Sequence, residues 1–179
     1  MRDNDWNAQI SVKLRSARRQ KGWSLDVTSE YTGVSKAMLG QIERGESSPT
    51  VTTLWKLATG FGLPFSALVP DDDCAGRGEK KILSSDSEME VTPLFPNKDG
   101  VNMEVFRIRL LGPRVQKSQS HGAKSVEHII VLEGAMKVYC DKKWRHLDSG
   151  DALRFNADQP HRYAALSDTA TFHNIVYYK

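Results

Sequence analysis

Residues 24–45, SLDVTSEYTGVSKAMLGQIERG, decide how the first part of this chain is read. Ser24 can cap a helix that Gly33 breaks, and Ser35 can cap the next one: a serine hydroxyl accepts from an orphan amide of the first turn, and glycine tolerates the left-handed backbone that ends a helix. Two short helices joined at Thr32-Gly33-Val34 have the layout of a helix-turn-helix, whose second helix lies in the major groove of double-stranded DNA with its first residues at base edges. Leu39 and Ile42, three residues apart, should face the core, which turns Lys36, Ala37, Gln41 and Arg44 outward. The outward groups suit base recognition. Glutamine bonds adenine in bidentate fashion, lysine donates to guanine and alanine touches a thymine methyl, each good pair contributing roughly 1–3 kcal/mol of discrimination. Ser35 opens this reading helix, and Met38 is assigned to the groove edge. Ser47, Ser48 and Thr50 are expected to anchor phosphates through their hydroxyls and the amino terminus of the following helix.

On both sides of this stretch the apolar residues keep helical spacing, as in Ile10, Leu14 and Ala17, and again in Leu54, Leu57, Ala58 and Phe61. Gly22 closes the first helix, and residues 45–49 separate the third from a fourth capped by Thr50. Residues 1–69 are therefore expected to form an all-α domain of five short helices. Residues 70–81, PDDDCAGRGEKK, are charged and lack periodic apolar positions, so 70–85 reads as linker and lead-in. The pattern then changes. VNMEVFRIRLL, SVEHIIVLEG, AMKVYCD, DALRF and TATFHNIVYY are short runs rich in Val, Ile, Phe and Tyr, parted by turn signals such as Glu133-Gly134 and Ser149-Gly150. Closely spaced strands without intervening helices predict an antiparallel β-barrel or sandwich over 86–179. The fold class expected is α+β in two domains.

Composition bounds the function. The chain has 179 residues, 39% apolar and 26% charged, which excludes a disordered protein. No run approaches the roughly 18 apolar residues of a membrane span. The segment MRDNDWNAQI does not have the pattern of a secretory signal, and Cys74 and Cys140 lack the spacing of a zinc knuckle or redox motif. A cytoplasmic protein with no membrane partner is expected. The net charge is +3, and residues 1–70, with nine basic and six acidic side chains, hold the whole excess. The positive half is thus also the half with the DNA-reading pattern.

The run from Leu14 to Leu68, with Thr-Gly-Val-Ser35, Gln-Ile-Glu43-Arg-Gly45, Ser-Pro49-Thr and Thr-Leu54-Trp-Lys-Leu-Ala in register, resembles the phage-repressor or XRE family of helix-turn-helix proteins. The resemblance implies that Lys36, Ala37 and Gln41 touch bases. It also implies that Arg18 and Glu43 form a partly buried ion pair between the first and third helices, which makes Arg18 structural rather than a phosphate contact. Lys13, Arg15, Arg19 and Lys21 read as a solvated helix face. Thr28 and Ser29 depart from the Leu-Ala pair usual in the second helix and make that contact more polar.

In the β half, strand alternation puts Glu127, Ile129 and Val131 on one face and His128, Ile130 and Leu132 on the other. His121, Glu127 and His161 can then converge, and two imidazoles with a carboxylate are a ligand set for zinc, iron or manganese. Phe106, Phe155 and Tyr163 are candidate apolar walls of a small-molecule pocket. Read singly, His161 could bond a loop, Glu127 could pair with Arg154 or Arg162, and His121 could lie on an exposed turn.

The spacing of Glu127 to Gly134, followed by Gly150-Asp151, Phe155 and His161, resembles the two motifs of the cupin family, small jelly-roll β-barrels with a polar or metal-binding mouth. Gln119 stands where the first histidine of the usual His-x-His falls, His121 is one residue farther from Glu127 than in that pattern, and Asn156 and Asp158 replace its Pro and Gly. Water, Gln119 or a ligand atom would complete a metal shell.

Together the halves resemble bacterial regulators that join an XRE helix-turn-helix to a cupin. The resemblance implies a homodimer that is not an enzyme, binds an operator and senses a small-molecule effector through its cupin half. The alternative is a metal-dependent cupin enzyme, an isomerase or dioxygenase, fused to a DNA-binding domain.

Overall fold

The computed structural model describes residues 3–70, 83–86, 89–97 and 101–178. The chain divides into two units, Met1–Asp73 and Cys74–Lys179. Most of the expected linker, residues 71–81, lies outside the described residues.

The first unit comprises α1 (Asp3–Gln20), α2 (Leu25–Thr32), α3 (Lys36–Glu43) and α4 (Val51–Phe61). Its caps are those the residue types dictate. The side chains of Ser24, Ser35 and Thr50 accept from the backbone amides of Val27, Met38 and Thr53, and Gly33 and Gly62 take the left-handed conformation that stops α2 and α4. Among the described residues four α-helices form, not the five expected. After the Gly62 cap, Pro64 holds an extended backbone and leaves only a 3-10 turn, Phe65–Ala67, before the unit ends. Leu14, Leu39, Ile42, Leu54, Leu57, Phe61 and Phe65 fill the core.

Helix α3 is fixed chiefly from α1. The Ser11 hydroxyl donates to the Ile42 carbonyl at 2.6 Å, alongside the Gly45 amide, and Arg15 donates to the Glu43 carbonyl, so α1 adds side-chain donors at the carboxy end of α3. Arg18 grips the Glu43 carboxylate with two bonds, Nε to Oε1 at 2.6 Å and Nη2 to Oε2 at 2.8 Å, and its Nη1 donates to the Trp23 carbonyl at 2.9 Å. The polar α2 interface is internally satisfied, because the Thr28 and Thr32 hydroxyls donate to carbonyls four residues earlier. Gly60 lets α4 cross close to α2: a Cβ there would lie 2.6 Å from Thr32 Cγ2 and 2.8 Å from the Tyr31 carbonyl.

The second unit contains β1 (Leu83–Asp86), β2 (Met89–Phe95), β3 (Met103–Leu111), β4 (Gln116–Ser118), β5 (Val126–Glu133), β6 (Met136–Cys140), β7 (Lys143–Leu147), β8 (Ala152–Asn156), β9 (His161–Ala165) and β10 (Thr169–Tyr177). Antiparallel pairing gives a six-stranded sheet, β1-β2-β3-β10-β5-β8, and a four-stranded sheet, β4-β9-β6-β7. Of the barrel or sandwich expected, the barrel is corrected, because the described strands form two open sheets. The chain changes sheet at Gly134 (φ +75°), where a Cβ would strike the Thr169 carbonyl, and a layer of side chains rather than a ladder joins the sheets. Tyr163 of β9 meets Phe172 of β10 across that layer, with ring centres 5.7 Å apart. Cys140 is buried here as a free thiol.

Candidate functional site

On α3 the burial pattern separates two faces. Leu39, Gly40, Ile42 and Glu43 are buried, whereas Ser35, Lys36, Ala37, Met38, Gln41 and Arg44 are exposed. The Ser35 side chain is engaged at the Met38 amide. Two of the expected DNA contacts already have acidic partners that the sequence reading missed: Lys36 Nζ lies 2.8 Å from Asp26, and Arg44 forms a two-bond pair with Glu46, both at 2.7 Å. Arg44 holds the Glu46 carboxyl below its ordinary range. Both pairs are solvent-exposed, and exposed ion pairs contribute little, so the two cationic side chains can exchange these partners at little cost. Ser48 accepts from Asn7 at 2.6 Å, Ser47 is half-buried, and Thr50 caps α4.

In the second unit β5 turns Glu127 inward, between Phe155 of β8 and Val176 of β10. His161 on β9 faces it from the other sheet, paired in register with Ser118. His121 arrives from the loop after β4, where its amide donates to the Ala157 carbonyl at 2.9 Å. The three side chains meet in the interior: His121 Nε2 lies 2.7 Å and His161 Nε2 3.3 Å from Glu127 Oε1, and all three are buried. Glu127 does not pair with Arg154 or Arg162, nor does His121 lie on an exposed turn. His161 does bond its loop, through Nδ1 and the Gln159 carbonyl at 3.0 Å, which fixes the ring with Nε2 toward Glu127.

Electrostatics bind this cluster. Burial alone would push the Glu127 carboxyl up, but His161 and His121 outweigh it and hold the group below the ordinary carboxylate range. Burial lowers His161, yet the adjoining Glu127 charge more than compensates and raises it. Tyr163 is driven well above its ordinary value by burial and by Glu127, so its phenol keeps the proton.

Not every expected wall or ligand joins the cluster. Gln119 is exposed, and it is the Ser118 hydroxyl that approaches His121 Nε2, at 3.5 Å. Phe155 packs its ring 5.2 Å from that of His161. Phe106 lies one inward row deeper, opposite Asn174. Tyr163, expected as an apolar wall, contributes its hydroxyl, which donates to Glu127 Oε2 at 2.5 Å. Asn174 was not anticipated: it is 2% exposed and its Oδ1 has no hydrogen-bond partner. The available signal was its parity with inward Phe172 and Val176 in β10.

The donor set fits a divalent ion. One ligand atom from each of His121, Glu127 and His161 lies within 4.8 Å of the others. Bonds of about 2.1 Å place neighbouring donors about 3–3.5 Å apart, so small side-chain movements would suffice. His161 Nε2 and Glu127 Oε1 are buried without an aligned hydrogen bond, which is the state of donors that await another partner. Such an ion would supply Lewis acidity and open coordination positions.

Comparison with known proteins agrees with both halves. Residues 14–68 match the Helix-turn-helix family HTH_3, and residues 110–176 match the Cupin domain family Cupin_2. The HTH-type transcriptional regulator SutR of Escherichia coli (strain K12) is 39% identical over 171 residues, covering 94% of each chain. A crystal structure of an HTH_3 family transcriptional regulator from Vibrio cholerae is 46% identical, with a TM-score of 0.87 and 99% of each chain covered. Iron(II) HppE shares the fold at 20% identity, over 96% of this chain and 99% of its own, with a TM-score of 0.50. With the helix-turn-helix and the cupin half both matched and a full-length regulator so similar, this chain belongs to the HTH_3 family of DNA-binding transcriptional regulators that carry a cupin domain.

Proposed function

We propose that residues 1–69 form a reading head in which Lys36, Ala37, Met38, Gln41 and Arg44 meet base edges while Ser35, Ser47, Ser48 and Thr50 address the phosphate backbone. Residues 86–179 form an effector-binding and dimerising half, in which His121, Glu127 and His161 hold a divalent ion and Phe106, Phe155 and Tyr163 line the ligand space. The protein acts in the cytoplasm as a homodimer on a roughly palindromic operator, with half-sites about one turn, ~34 Å, apart. Effector binding alters operator affinity only if the effector prefers one arrangement of the dimer. The observation that carries the reading is the division of α3, with Gln41 exposed on one side and Leu39, Ile42 and Glu43 anchored on the other.

Selection of duplexes from a random pool, followed by binding measurements with Gln41→Ala, tests this reading. The variant should lose preference at one or two base positions while its affinity for random DNA is unchanged. Equal loss on selected and random duplexes would contradict the role given to Gln41.

A second reading is favoured by one observation, the two-histidine, one-carboxylate donor set, which also suits metal-dependent isomerases and dioxygenases. Substrate turnover that disappears in both Glu127→Ala and His161→Ala would establish it.

A further inference from the structure

The Glu127 carboxylate divides its two oxygens between different partners. Oε2 accepts the Tyr163 phenol at 2.5 Å, whereas Oε1 faces His121 Nε2 at 2.7 Å and His161 Nε2 at 3.3 Å. Tyr163 cannot easily follow a rotation of that carboxylate. It stands two residues after His161 on β9, paired in register with Gln116 on one side and Val138 on the other, and its ring packs 5.3 Å from His161 and 5.7 Å from Phe172. Turning Glu127 to offer both oxygens to the histidine side would break a short, buried bond, and leaving Oε2 buried without a donor is costly.

We infer that Tyr163 is a positioning residue that restricts Glu127 to donation through Oε1 alone. A divalent ion held by His121, Glu127 and His161 then has three protein donors and keeps a position open for an anionic donor atom of the small effector. The inference rests on the metal reading above. Its ligand class follows from charge: a divalent ion with neutral imidazoles and a single carboxylate leaves a net positive centre in a buried place, where an anion is favoured.

The test uses the full chain, stripped with a chelator and titrated with Co(II), with visible absorption reporting coordination and azide probing the open position. The wild type should bind one equivalent and respond to azide. In Tyr163→Phe the carboxylate is free to close on the ion with both oxygens, so the absorption should weaken as coordination number rises. The azide dissociation constant should then increase about tenfold, the scale for losing a group that orients a metal ligand. Identical spectra and azide affinities in the two proteins would overturn the role of Tyr163 and leave the metal reading standing. Absence of any cobalt signal in the wild type would overturn both. Should Tyr163→Phe fail to fold, X-ray absorption of the wild-type cobalt protein decides, because a bidentate Glu127 there contradicts the inference.

Discussion

Replacing Arg18 by methionine would remove three hydrogen bonds: two charge-assisted bonds to Glu43, at 2.6 and 2.8 Å, and one to the Trp23 carbonyl at 2.9 Å. The side chains of Arg18 and Glu43 are only 17% and 8% exposed, so Glu43 would be left as a mostly buried charge. Breaking a buried pair from one side costs about 3–5 kcal/mol. Arg15, whose Nε lies 3.7 Å from Glu43 Oε2, partly compensates. The expected loss is therefore about 2–3 kcal/mol for Arg18→Met and about 1–2 kcal/mol for Glu43→Gln, with the double variant below the sum by about 1–2 kcal/mol. For a helical unit of this size that corresponds to a fall of roughly 10–20 °C in Tm for Arg18→Met. Urea titrations followed at 222 nm, where the helices dominate, give all three values. Strict additivity, or a loss under about 0.5 kcal/mol for Arg18→Met, would refute the clamp between α1 and α3.

Gly60→Ala should destabilise the same unit by roughly 1–2 kcal/mol, because the cost of forcing a Cβ against Thr32 and Tyr31 exceeds the helix propensity gained; a rise in the urea midpoint would contradict the close approach. The metal-free β unit should show a characteristic pH profile. Stability from the lowered Glu127 is present above the unfolded carboxyl pKa, about 4.3, and is lost as pH falls toward its folded value. Stability from the raised His161 is present below the unfolded imidazole pKa, about 6.5, and is lost as pH rises through its folded value. Melting of chelator-treated protein should thus be highest in the window between about pH 4.5 and 6.5, and a Tm that climbs steadily toward pH 8 would contradict the ion pair.

Local chemistry made most of the helical half legible, because Ser24, Ser35 and Thr50 cap and Gly33 terminates, although α3 ends on Arg44 and the Gly62 stop of α4 went unread. A further exception was the segment after Gly62, where helical spacing in Phe65 and Leu68 competes with Pro64 and yields a 3-10 turn. In the β half the long apolar strands β3, β5 and β10 were plain, but β7 (KWRHL) and β9 (HRYAA) carry few β-branched residues, and β2 includes Pro93. Their places come from pairing partners distant in sequence. Alternation turned Glu127 inward, and the cupin-like spacing joined it to His161 and to His121, which lies in a loop. Neither gave the Tyr163 bond to Glu127, the withdrawal of Gln119 or the acidic partners of Lys36 and Arg44, because each depends on side-chain geometry between separate elements.

Native mass spectrometry of the full chain, set against its denatured mass, decides whether the DNA-reading head is joined to a metal-dependent effector site. A dimer carrying one divalent ion per chain is expected, with that added mass lost in Glu127→Ala. A monomer or dimer whose native mass equals that of the bare chain, even after zinc, iron(II) and manganese are supplied in turn, would contradict it.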